Sequence, residues 1–261
     1  MLFMNKTAYS FLIPKRHNHL CLKKMAVVLC IILYKPANSQ EPYNNLGSWN
    51  IINLKYNYDK KWSFFAEAQL RSLKFYDDFH YYEYKGGITY NASQHLRISL
   101  GAGDYNTYRA GGNFVTPKIN DEFRLWPQLQ LTQPLGSFLV EQRLRAEFRF
   151  TDFGYRNRFR YRLGIMLPFG KEKNGFKPFM VSISDELFFT NREPYFERNR
   201  FQLAFNYKIS KVTTLQAGYL HQFDYRINDE TGTDFLQIGL YLEFSRLMNG
   251  SGKKDREIMG D

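Results

Sequence analysis

The sequence predicts an all-β fold, a transmembrane up-and-down antiparallel β-barrel of ten or twelve strands. Three observations predict it. Apolar and charged residues alternate with period 2 across nearly all of residues 46–244, the alternating segments are long enough to cross a bilayer at a tilt, and their connections alternate between tight and longer.

Composition supports a single folded barrel. The chain has 261 residues, 44% hydrophobic, 18% aromatic and 23% charged, too aromatic and too strongly patterned for a disordered chain. Its formal charge of +11 is unevenly placed, because residues 1–39 hold Lys6, Lys15, Arg16, Lys23, Lys24 and Lys35 and no acidic residue. Setting those six aside leaves 30 of the 36 Lys and Arg against 25 Asp and Glu, a balance of +5. Both cysteines, Cys21 and Cys30, fall in the same leading stretch. The rest is thiol-free, which excludes disulfide frameworks, cysteine-ligated zinc and cysteine nucleophiles there.

Three segments follow: a signal peptide at 1–39, a barrel at 40–245 and a polar tail at 246–261. The run 25–34 (MAVVLCIILY) is preceded by Lys23 and Lys24 and followed by Ala37-Asn38-Ser39, the three parts of a secretory signal. It is about half the roughly 20 residues a helix needs to span a bilayer, so cleavage near Gln40 is expected rather than a retained anchor. Export and barrel together place the mature chain in the outer membrane of a Gram-negative bacterium.

The elements come in order along the chain. Candidate strands lie at 47–58, 62–72, 80–90, 95–106, 119–132, 137–150, 156–168, 176–189, 198–209, 212–225 and 233–245. The pattern is cleanest at 137–150 (SFLVEQRLRAEFRF), where Phe138, Val140, Leu144, Ala146, Phe148 and Phe150 share one face, and Glu141, Arg143, Arg145, Glu147 and Arg149 the other. At 156–168, Phe159, Tyr161, Leu163, Ile165 and Leu167 oppose Arg156, Arg158, Arg160 and Arg162. Many of these strands exceed the usual 5 or 6 residues and match the roughly 9 to 11 of a tilted membrane crossing. Tight connections are expected at 59–61, 91–94, 134–136, 171–175 and 210–211, and longer polar ones at 74–79, 107–117, 151–155, 191–197 and 227–232. The segments number eleven, whereas single-chain bacterial barrels have even counts, hence ten or twelve.

The apolar face is assigned to lipid and the charged face to the lumen, where Arg and Glu of neighbouring strands pair. Aromatics near strand ends suit interfacial belts: Tyr56, Tyr58, Trp62 and Phe64 around the first turn, and Phe188, Phe189, Phe223 and Tyr225 by the longer connections. The competing reading is a soluble periplasmic barrel or sandwich with those aromatics as core.

The segment Gln237-Ile238-Gly239-Leu240-Tyr241-Leu242-Glu243-Phe244 resembles the β-signal by which outer-membrane barrels are recognised for insertion, with Gln237, Gly239, Leu242 and Phe244 in the signal positions. The residues that follow depart from that pattern, since the signal usually ends a chain. Over about residues 46–246 the chain resembles the Bacteroidetes-type outer-membrane barrels grouped as domain of unknown function 2490. The resemblance rests on Trp49 and Trp62 flanking an early hairpin, on Arg156-Asn157-Arg158-Phe159-Arg160-Tyr161-Arg162 and Arg198-Asn199-Arg200-Phe201 opening two strands, and on the last hairpin, 218–244. It implies a fold and a location, with no established activity and no catalytic residues.

An enzymatic alternative is a lipid-facing acyl hydrolase resembling outer-membrane phospholipase A or the lipid A deacylase, which need a His and a Ser two apart on one outward strand face. His80, His95 and His221 are the histidines beyond the leader. His221 has Tyr219 and Phe223 as same-face neighbours, and His95 meets Ser99 only about 13 Å along a strand. Asp77, Asp78 and His80, or Asn228, Asp229, Glu230 and Asp234, could be metal ligands, but neither set has a repeated ligand spacing, so no metal and no cofactor is expected. Glu141 and Glu147 stand about 20 Å apart, too far for glycoside chemistry. Export and the modest charge argue against nucleic acid. The expected partners are outer-membrane lipid, lipopolysaccharide and, during insertion, the barrel-assembly machinery.

The charged rows remain the most informative feature. Glu141, Arg143, Arg145, Glu147, Arg149, Arg156, Arg158, Arg160 and Arg162 form a lumen charge ladder, to be balanced by Glu67, Glu83, Glu122, Glu186 and Glu243. A salt-bridged interior that stabilises a narrow barrel is favoured over a porin-like basic constriction that passes anions. The function read from sequence is a non-enzymatic envelope barrel, structural or a narrow channel.

Overall fold

The computed structural model describes residues 46–172, 175–227 and 230–246. The leader expected at 1–39, with both cysteines and the cleavage point, lies outside them, as do the tail beyond Arg246 and the pair Asn228 and Asp229.

Among the described residues there are eleven strands: β1 (Gly47–Asn57), β2 (Trp62–Lys74), β3 (Asp77–Asn91), β4 (Leu96–Arg109), β5 (Val115–Leu135), β6 (Phe138–Thr151), β7 (Gly154–Phe169), β8 (Phe179–Thr190), β9 (Phe196–Lys208), β10 (Thr213–Asp224) and β11 (Thr231–Ser245). They close into one barrel in which each strand pairs with its sequence neighbours and β1 pairs with β11. Each candidate segment read from the alternation coincides with one strand.

The expectation of ten or twelve strands is corrected to eleven. An odd count leaves the first and last strands running in the same direction, and the barrel closes by a parallel ladder from Gly47↔Phe235 to Asn57↔Ser245, while every other pair is antiparallel. Parallel pairing is only slightly weaker per residue than antiparallel, so parity does not forbid closure.

The expected contrast between tight and long connections is also corrected. The connections at 58–61, 92–95, 136–137, 170–178 and 209–212 lie at what we call the lower end, and those at 75–76, 110–114, 152–153, 191–195 and 225–230 at the upper end. Neither set is consistently longer. Polar residues expected in upper loops continue the ladders instead, as at Lys74↔Asp77 and Arg109↔Val115. Tyr76, Asp78 and Phe114 take positive φ there, and the Asp78 carboxylate accepts the N–H groups of Gly111 and Gly112 at 3.0 Å, tying two hairpins together.

The pleat sends alternate side chains outward and inward. Outward rows are apolar and open, with Leu100 58% and Leu144 55% exposed. The barrel therefore has no continuous apolar core. Its interior holds two small apolar clusters, Trp49 with Ile51, Leu220 and Phe235, and Tyr81 with Tyr105 and Trp126, set among buried charges. One glycine makes this packing possible: a methyl group at Gly101 would overlap the Trp126 indole.

Candidate functional site: the barrel interior

The interior is dominated by β6 and β7, whose inward rows meet in register. Arg143 stands opposite Arg162, Arg145 opposite Arg160, Glu147 opposite Arg158 and Arg149 opposite Arg156. Like charges directly across a strand pair destabilise it unless other groups intervene. Carboxylates intervene at most of these positions.

Glu147, 0% exposed, accepts from Arg158 and Arg160, each at 2.6 Å, with Arg145 at 3.6 Å. Glu186, on β8, accepts from Arg143 at 2.6 Å and from two nitrogens of Arg160 at 2.9 Å. Glu122, on β5, holds Arg124 by a forked pair at 2.7 and 2.9 Å and also takes Arg149. Glu197 reaches Arg158 at 3.0 Å and Arg149 at 3.4 Å. Glu83 binds Arg71 at 3.0 Å, Lys85 at 2.5 Å and the Tyr81 hydroxyl. Glu67 pairs with Lys85 at 2.5 Å, and Glu243 with Lys55 at 2.8 Å near the lower end.

Aromatic rings fill the space between these ions. Phe188 is wholly buried, with the guanidinium carbons of Arg160, Arg200, Arg158 and Arg198 at 4.5, 4.8, 5.3 and 5.9 Å from its centroid. Arg71 lies over Trp49 at 3.4 Å and over Tyr81 at 4.0 Å, and Arg124 lies over Tyr105 at 3.7 Å. Such contacts contribute about 2 kcal/mol each when desolvated. The placement of Phe188 in an outer aromatic belt is thereby corrected. It shares strand parity with Ser184 and Glu186, which both line the interior, so the pleat turns it inward.

Alternation parity also places Trp49, Tyr81, Tyr105 and Trp126 inside, a signal that the focus on charged rows passed over. Arg71, Arg124, Arg198 and Arg200 have inward parity too, whereas Glu197, next to Arg198, is turned inward at the register shift where Phe188 pairs with Arg198 and Phe189 with Phe196.

The lower half differs. Many of its inward positions carry short or neutral groups, Ser63, Thr89, Ser99, Gln128, Gln130, Gly164, Ser182, Ser184, Asn206 and Gln216, beside Lys55, Phe65, Arg97, Met166, Met180 and Tyr241. Of the sequence-derived ladder, Glu141, Arg143, Arg145 and Arg162 border this region. Arg162 bonds Glu141, Gln130 donates to Glu141, and Arg145 donates to the Gln128 carbonyl at 2.9 and 2.6 Å. Arg156 lies at the upper mouth, opposite Arg149. A cavity of about 1,210 Å³ lies in the interior, lined from Lys55 and Ser63 below to Phe153 and Arg192 above.

The remaining candidates sit elsewhere. Gln237 is buried inside and accepts from Gln202, Gly239 shares that inward parity, and Leu242 and Phe244 have the outward parity near the lower end of β11. Outside the barrel, His221 Nδ1 lies 2.7 Å from Asp234 Oδ1, which also accepts from the Tyr219 hydroxyl at 2.5 Å. Ser99 bonds Thr89 at 2.9 Å, whereas His95 bonds the Thr132 carbonyl at 3.0 Å, so the structure does not bring that pair together. Among the described residues no group of three His, Cys, Asp or Glu is placed to hold a metal ion.

Fold and interior together define a class: a closed, eleven-stranded barrel with an apolar exterior and an ion-paired, aromatic-filled interior. The chain belongs to the family described as Protein of unknown function (DUF2490), whose family model matches residues 46–233, from the start of β1 into β11. Comparison with curated proteins and with solved structures gives no match.

Proposed function

We propose that this chain is an integral outer-membrane barrel of a Gram-negative bacterium, exported by way of a cleaved leader at residues 1–39, non-enzymatic, and closed to free diffusion through its upper half. The observation that carries this reading is the inversion of the usual arrangement, with large apolar side chains open on the outer face and charges buried within. Soluble monomers rarely expose apolar patches beyond a few hundred Å². Here Ile52, Leu100, Leu144, Phe159 and Leu203, on five different strands, all face outward and exposed. Strands of 11 to 21 residues meet or exceed the roughly 9 to 11 a crossing needs. In this reading lipid and lipopolysaccharide cover the exterior, and the assembly machinery reads β11 at Gln237, Gly239, Leu242 and Phe244.

The buried layer of Glu122, Glu147, Trp126 and Phe188, each 1% exposed or less, supports closure. Planar-bilayer recording tests it. The parent protein is expected to give no steady conductance, and the double variant Arg145→Gln/Arg160→Gln to leak, as contacts to Glu147 and Glu186 are lost. Steady anion-selective current in the parent would replace closure with a narrow passage. Recovery as a soluble periplasmic protein that needs no detergent would sink the membrane reading.

The outward His221–Asp234 pair favours a second reading, a lipid-facing acyl hydrolase, because Asp234 can orient an imidazole base. Among the described residues no Ser or Thr hydroxyl bonds His221, so the nucleophile lacks a candidate. Acyl-ester hydrolysis by purified protein, abolished in His221→Ala, would establish it.

A further inference from the structure

Arg97 on β4, Gln130 on β5, Arg143 on β6 and Arg162 on β7 stand in one continuous cross-strand row, Arg97↔Gln130, Gln130↔Arg143 and Arg143↔Arg162. At about 4.8 Å per strand the row spans about 14 Å along one wall of the lower half. Three guanidinium groups, those of Arg162, Arg143 and Arg97, act on the single carboxylate of Glu141. The other carboxylate in reach, Glu186, is shared between Arg143 and Arg160. The Nε atoms of Arg143 and Arg162 are buried and lack an acceptor. Arg97 makes a hydrogen bond to the Thr132 hydroxyl at 3.5 Å, long for such a contact. The row thus holds three arginines against Glu141 and a shared Glu186, which faces Arg162 from β8, and below Glu186 the β8 wall presents the neutral Ser184 and Ser182.

We propose that this row is a binding site for a small oxyanion, a phosphate- or carboxylate-bearing solute that enters from the lower end and stops against the buried layer above. Guanidinium groups bind such oxyanions through paired, charge-assisted hydrogen bonds, and a ligand charge between Arg143 and Arg162 relieves their direct opposition. Buried ions and rings narrow the upper half, and a fixed set of guanidinium groups makes occupation saturable. The inference rests on the closed-barrel reading and gives that barrel a ligand class.

The test is thermal unfolding of the folded full chain in non-ionic detergent, titrated with sodium phosphate against sodium chloride at constant ionic strength. Phosphate is expected to raise the midpoint saturably, beyond chloride. Arg97→Gln is expected to raise the half-saturating phosphate concentration about tenfold, the effect of losing one charged contact, and Lys61→Gln on the exposed β1–β2 turn to leave it unchanged. A parallel arm replaces phosphate with an anionic phospholipid in the same micelles. A response to lipid alone would overturn the site, because lipid reaches the exterior rather than the lumen. Equal responses to phosphate and chloride, or an unaltered half-saturation in Arg97→Gln, would also overturn it. Detergent dependence, scored on the same preparations, separates the two readings. A detergent-dependent barrel without a phosphate response overturns the site alone, whereas protein that stays dispersed without detergent overturns the membrane reading.

Discussion

The upper and lower halves of the lumen are built from the same two charged rows and end up with opposite characters. On β6 and β7 arginines run the length of the interior, from Arg143 and Arg162 below to Arg149 and Arg156 above. In the upper half the facing strands supply Glu122, Glu197, Trp49, Tyr105 and Phe188, of which Glu122, Trp49, Tyr105 and Phe188 are buried, with Glu186 at the boundary. In the lower half they supply mainly serine, glycine and amides, beside Lys55, Arg97 and Tyr241, and Arg162 keeps a side-chain exposure of 26% against 4% for Arg158. Whether an arginine row becomes a seal or a wall is decided by its neighbours rather than by the row. Four predictions follow, from the largest effect to the smallest.

Glu147→Gln is expected to have the largest effect. Its carboxylate serves Arg158, Arg160 and, at longer range, Arg145, all deep in the interior. Removing one partner of a buried ion pair typically costs about 3–5 kcal/mol, because the surviving charge stays desolvated. Glu141→Gln in the lower half removes one ion pair, to a better-solvated Arg162, and disturbs the neutral Gln130 contact, and should cost clearly less. Urea unfolding of both variants in one detergent measures the difference, and equal losses would show that the halves are alike energetically.

The second prediction concerns the wall common to both halves. Leu163 alternates with Arg162 on β7 and faces outward, whereas Gln202 on β9 lines the interior. Arginine on the lipid face near mid-membrane costs about 2–4 kcal/mol, so Leu163→Arg should impair insertion far more than Gln202→Arg. Equal impairment would mean that the outer face does not meet lipid.

Much of this contrast lay within reach of the sequence, and the failures have physical causes. Strand positions were legible because alternation is local, a property of each segment by itself. The eleven segments were legible for the same reason, but that eleven strands close was not, because the parallel β1–β11 ladder joins two segments at opposite ends of the barrel chain and no local pattern encodes their pairing. Upper connections read as loops from their polarity, yet Arg109 pairs with Val115 because backbone pairing at a hairpin end needs no apolar face. The inward parity of Phe188 was legible as well. What hid it was chemistry: an aromatic ring reads as a lipid-belt residue until four arginines are found around it.

The two smallest effects are expected at a pair of interior glycines, one in each half. Gly101 lies beneath the Trp126 indole, where a methyl group has no room, since Trp126 is 1% exposed and cannot move aside. Gly101→Ala is therefore expected to cost about 1–3 kcal/mol, the usual penalty for overpacking. At Gly164 the nearest atoms to an added Cβ are those of Ser184 at 3.6 Å, Ile183 at 3.7 Å and Glu141 at 3.8 Å, ordinary contact distances. There the methyl group fits, and replacing a strand glycine lowers the backbone entropy lost on folding. Gly164→Ala is expected to stabilise the barrel by about 0.5 kcal/mol. Opposite signs for the same chemical change, read as unfolding midpoints in one detergent, would establish a packed upper half over an open lower one. A loss at Gly164 as large as that at Gly101 would mean that the lower half is packed as tightly as the upper, leaving no room for a ligand beside Arg143 and Arg162.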